Sequence, residues 1–122
     1  MVIDRINRAL MKLIRRRAGS EFTIHLNSSG VQALDGSATC WSMQWSEIRR
    51  VTAFRSAGFL GESLVLALES RDDTRLVTEE HPGWHELIAA IPEYLSGAMR
   101  YERWALDVAW GDDSSLTVYA RQ

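Results

Sequence analysis

Between residues 21 and 80 the apolar residues recur with a period close to 2, and turn clusters interrupt them roughly every 8–12 residues. No other feature limits the fold so strongly, because a period of 2 puts alternate side chains on opposite faces of a strand. "EFTIHL" alternates Phe22, Ile24 and Leu26 with polar positions, and "NSSG" closes it. "VQAL" runs into "DGS", and "ATCWSMQW" sets Trp41, Met43 and Trp45 on one face against Cys40, Ser42 and Gln44 on the other. "EIRRVTAF", with Ile48 and the stretch from Val51 to Phe54 partly buried, precedes the two-glycine loop "SAGFLGES". "LVLALE" is the most apolar run and is expected at the centre of a sheet. "RDDT" then turns the chain into "TRLVTE". Connections this short join antiparallel neighbours.

Two segments depart from this period. In "VIDRINRALMKLIRRR", Val2, Ile3, Ile6, Ala9, Leu10, Leu13 and Ile14 fall within a sector of about 140° at 100° per residue. Arg5, Arg8, Lys12, Arg15 and Arg16 take the opposite side, and Gly19 supplies a stop. After the sixth strand, Trp84, Leu87, Ile88, Ile91, Tyr94 and Leu95 keep helical spacing, which predicts a helix over 82–95. A poorly patterned stretch holding Trp104 and Trp110 follows, then "GDDSS", then a last strand, "LTVYAR". The expected class is α+β: a curved antiparallel sheet or partial barrel of about six to seven short strands, with an N-terminal amphipathic helix and a helix packed after the sixth strand. The expected division is a basic amphipathic helix over 1–19, as an arm or docked, and one α+β domain over 20–122.

A chain of 122 residues supports one core, and 46% hydrophobic with 25% charged residues is ordinary globular composition. No apolar run approaches the roughly 18 residues of a membrane span, and no signal-peptide pattern opens the sequence. The single cysteine, Cys40, forms no internal disulfide and suits a reducing compartment. A cytoplasmic location, peripheral to the inner membrane face in one reading, is expected. Residues 1–20 hold six basic residues against Asp4, a net of +5; the rest hold eight basic and fifteen acidic groups, a net of −7. An acidic body argues against nucleic acid as partner.

The most chemically suggestive stretch is "TEEHPGWHELIAAI", residues 78 to 91. Two histidines four apart could bind zinc, with Glu79, Glu80 or Glu86 as ligand or base. Yet Pro82 and Gly83 stand where a zinc-protease helix needs Glu and a helix former. Pro82 fits the first helical position, which would leave His81 at the cap and diverging from His85. Glu79 and Glu80 would then precede the positive helix end. The stretch reads as a helix start, and no metal, cofactor or catalytic residues are assigned. His25 is expected in solvent, and Cys40 as a small strand residue without a neighbouring base. Asp72-Asp73 and Asp112-Asp113 sit in turn clusters, and "GFLGES" lacks a phosphate-loop lysine. Trp41, Trp45, Trp84 and Trp104 are spaced to fill a core, while Trp110 is the candidate exposed aromatic.

Taken together, "WSEIRRVTAF" and "TEEHPGW" resemble a family of short bacterial proteins of uncharacterised function. The matching positions are Trp45, Glu47, Ile48, Val51 and Ala53, then Glu79, Glu80, Pro82, Gly83, Trp84 and Leu87, then Trp104, then Tyr119 and Arg121. They span about residues 21–121. The family pattern follows Ala-Phe with a basic residue and a nearby acid; here Arg55-Ser56-Ala57-Gly58 departs from it, which puts any role of that acid in doubt. The resemblance implies no known reaction, and by analogy a pleckstrin-homology-like sheet closed by a helix, an analogy of fold that carries no function.

Three functions are open at this level. The first is a non-catalytic protein-interaction domain with a protein partner, regulatory or toxin-neutralising in the manner of an immunity protein. The second is a peripheral membrane domain whose residues 2–17 meet anionic lipid, with Arg5, Arg8, Lys12, Arg15 and Arg16 as its surface. An enzyme built on Glu79, Glu80, His81 and His85 is the third.

Overall fold

The computed structural model describes residues 22–56, 63–110 and 115–121. Its alternating segments become seven strands: β1 (Thr23–Leu26), β2 (Gly30–Asp35), β3 (Ala38–Gln44), β4 (Arg50–Ser56), β5 (Ser63–Glu69), β6 (Thr74–Thr78) and β7 (Ser115–Ala120). Helices α1 (Trp84–Tyr94) and α2 (Tyr101–Trp110) come between β6 and β7 in the chain. The N-terminal helix expected over 1–19, with Arg5, Arg8, Lys12, Arg15 and Arg16, lies outside the described residues.

The strands form two antiparallel sheets, ordered β1-β2-β3 and β6-β5-β4-β7. The expected antiparallel α+β class holds, and the sheet divides in two without closing a barrel: among the described residues the ladder breaks after β3. The break has a local cause. Trp45–Glu47 form a 3-10 turn where a strand was expected. The Gln44 amide donates to the Glu47 carboxylate at 2.9 Å, and the Trp45 indole donates to the Asn27 carbonyl at 3.0 Å. Those two bonds turn the chain out of the first sheet before Arg50 starts the second.

One core lies between the sheets and under both helices. Ile24, Val31, Ala33, Trp41 and Met43 enter it from the first sheet; Val51, Ala53, Leu64, Leu66, Leu68, Val77 and Val118 from the second. Trp45, Trp84 and Trp104 join Trp41 there, so all four tryptophans with described side chains are core. β5 is buried at every position and sits inside its sheet, as its apolar run requires.

Helix α2 was not legible. Trp104, Ala105 and Val108 turn one face inward, but Leu106 is 66% exposed and breaks the stripe that would have marked it. Its C-terminal end is tied to the sheet by the Arg55 guanidinium, which donates to the Ala109 carbonyl at 2.5 Å. A cation at the negative end of a helix is favourable, which gives this basic residue a structural use. Of Trp110, only the backbone at the end of α2 is described, so its expected exposure lies outside the described residues.

Helix α1 starts two residues later than predicted. Gly83, at φ 95°, is its N-cap, and Pro82 precedes the helix instead of opening it. β1 decides this. The Ile24 amide donates to the Pro82 carbonyl at 2.8 Å, and a Cβ on Gly83 would collide with the Ile24 carbonyl and side chain. Pro82 must stay extended to accept that bond, and only glycine fits the left-handed turn against β1. Pro92 lies inside α1, and the helix ends two residues beyond it.

Candidate functional site

The corner between β6 and α1 collects the residues that suggested chemistry. The β5–β6 ladder leaves the Thr78 amide pointing away from β5, since the Glu79 amide next to it bonds the Leu64 carbonyl. His81 Nδ1 accepts that outward Thr78 amide at 2.9 Å, and its ring stacks on Phe22 with centroids 4.1 Å apart. Glu79 accepts the Leu64 amide at 3.0 Å, and the Ser63 hydroxyl donates to Glu80 at 3.4 Å. The two acids thus serve the start of β5, a correction to their expected service at the helix end. His85 stands elsewhere, exposed on α1 in an open groove of about 550 Å³ shared with Ile88, Pro92, Glu93, Arg100 and Tyr101. The two imidazoles have separate surroundings. Among the described residues no three His, Cys, Asp or Glu side chains are placed to hold a metal ion.

The remaining candidates occupy ordinary positions. His25 and Cys40 are exposed. Cys40 sits at an irregularity where Ala33 pairs with Trp41 and Leu34 with Thr39, so it is the extra residue of a bulge. Asp73 closes the β5–β6 turn: its amide bonds the Ser70 hydroxyl, its carboxylate accepts the Thr74 amide, and it pairs with Arg75 at 2.7 Å. Asp112 and Asp113 lie outside the described residues.

The motif residues of the W-x-E-I stretch have structural partners as well. The Trp45 ring stacks on Tyr94 at 5.0 Å, and Ile48 is fully buried. Arg121 donates to the Ser46 carbonyl at 2.6 Å and to the Trp45 carbonyl at 3.4 Å, which fastens the end of β7 to the turn that separates the sheets.

A site that was not legible emerges from the sheet edges. An edge strand exposes unpaired amides and carbonyls that another chain can use. Each of the four edges has one outward group bonded from within the fold. The outward Ile24 amide of β1 bonds Pro82, the outward Thr78 amide of β6 bonds His81, and the Val118 carbonyl of β7 accepts the Met99 amide at 2.9 Å. At the end of β3, the Trp45 amide bonds the Ser29 carbonyl, one step past the Gly30–Gln44 pair, so Met43 faces β2 while Ser42 and Gln44 aim their peptide groups outward. Glu47 takes the Gln44 amide, but no described residue takes that of Ser42. The strand reads ATCWSMQ, with no charge and no proline, and Ala38, Thr39, Cys40, Ser42 and Gln44 are exposed. Its sequence signal is that absence of charge in a seven-residue strand.

No family model, no curated protein and no solved structure matches this chain. No helix among the described residues is long and apolar enough to cross a membrane.

Proposed function

We propose that this chain acts by binding a protein partner, as a non-catalytic interaction domain of regulatory or toxin-neutralising type, and that β3 is the strand it offers. The observation that carries this reading is the outward Ser42 peptide, which no described residue takes, on an uncharged strand whose Ala38, Thr39, Cys40, Ser42 and Gln44 are exposed. Strand addition takes its affinity from main-chain bonds and its selectivity from alternate side chains. On β3 the outward Ser42 peptide supplies the bonds, and Ser42 and Gln44 present neutral polar side chains to what lies above the strand. The His81 and Glu79 groups support a binding role over catalysis, because each is engaged by backbone that the fold requires.

Ser42→Pro tests this directly. Proline at 42 deletes only an outward donor, so the bonds between β2 and β3 survive. A partner captured from native lysate by the wild-type chain is expected to lose at least tenfold in affinity for Ser42→Pro, with circular dichroism unchanged. Glu102→Ala, on the far helix, is expected to bind it as wild type. Equal capture by Ser42→Pro and wild type would refute the edge as the binding surface.

A further inference from the structure

The open peptide of β3 has a symmetric setting. Two residues beyond Ser42, the Gln44 amide is held by the Glu47 carboxylate at 2.9 Å. Two residues before it, Cys40 is the extra residue of the bulge, where the ladder passes from Ala33–Trp41 to Leu34–Thr39 and the outward repeat is interrupted. The edge therefore presents one complete outward peptide, with an interruption at the same distance on either side.

That symmetry selects among the strands that could lie there. A regular strand turns its peptides to one side at every second residue. Laid on β3, it would pair with Ser42 but bring a carbonyl to the occupied Gln44 amide and a peptide to the bulge. A second copy of β3, antiparallel and related by a two-fold axis through Ser42, brings its own interruptions to those same two places. Each Gln44 then faces the Cys40 of the other copy, and each Ser42 faces its counterpart. The two Ser42 peptides exchange both bonds, N–H to C=O in each direction, as a hydrogen-bonded antiparallel pair does. Like charges opposite one another destabilise a ladder, and the strand ATCWSMQ has none to oppose. On the inner face Trp41 of each copy stands opposite Met43 of the other, both already buried in their own core.

We propose that β3 pairs with β3 of a second copy of this chain, antiparallel and centred on Ser42. Pairing joins the two three-stranded sheets into one of six strands, in the order β1-β2-β3-β3-β2-β1. The inference rests on the reading of β3 as the binding edge and names the strand that occupies it. Two main-chain bonds make a small contact, so association belongs to high protein concentration.

Sedimentation equilibrium of the full chain, carried up to about 1 mM, is expected to show a monomer–dimer equilibrium. Residue 42 faces itself across the axis. Ser42→Lys and Ser42→Glu are therefore each expected to weaken association at least tenfold, and an equimolar mixture of the two to restore it. Ser42→Pro, without the donor, is expected to stay monomeric over the same range. A wild-type chain that remains monomeric, charged variants that associate like wild type, or a mixture no tighter than its components overturns the proposal. Failure of self-pairing is distinguishable from failure of the edge itself. A monomeric wild type whose lysate partner is lost in Ser42→Pro would overturn self-pairing alone and leave β3 to that partner.

Discussion

Gly83 and His81 show how much of the polar cluster before α1 is backbone geometry. Gly83 holds φ 95° with β1 directly against it, so a methyl group there meets both strain and collision. Gly83→Ala is expected to cost about 2–4 kcal/mol, read as a lowered urea midpoint at unchanged slope. His81 contributes one hydrogen bond to the outward Thr78 amide and one ring face to Phe22. Its replacement by alanine is expected to cost about 1–2 kcal/mol, with far-UV circular dichroism retained. Sequence spacing suggested a helix start here, but it put Pro82 inside the helix. The Ile24 amide that pulls Pro82 outward belongs to a strand more than fifty residues earlier, which no local pattern contains.

At the scale of elements, strands were legible because each is half buried and alternates, and α1 because its stripe is unbroken. α2 was not, since Leu106 faces solvent where the stripe needs a polar residue. The 3-10 turn at Trp45–Glu47 was read as strand, because its fixing bonds run to Asn27 and Arg121, remote in sequence. Within α1, Pro92 leaves the Ile88 carbonyl without its helical donor. Pro92→Ala is expected to stabilise the protein by up to about 3 kcal/mol, seen as a higher thermal midpoint. A lower midpoint would mean that the proline ring's packing in the groove with Tyr101 outweighs the missing bond.

For the molecule as a whole, Trp41, Trp45, Trp84 and Trp104 report on one shared core. Unfolding followed by tryptophan fluorescence is therefore expected to coincide with unfolding followed by circular dichroism; separated transitions would show that the two sheets unfold independently. Sequence by itself determined the α+β class, the seven strands and the burial of those four tryptophans, because periodicity and side-chain size are local properties. Tertiary structure alone decided that the strands divide into two sheets. It also decided which outward groups on the sheet edges are met from elsewhere in the fold. Those outcomes depend on hydrogen bonds between segments far apart in the chain, and a backbone amide carries no mark in the sequence of the partner it will find.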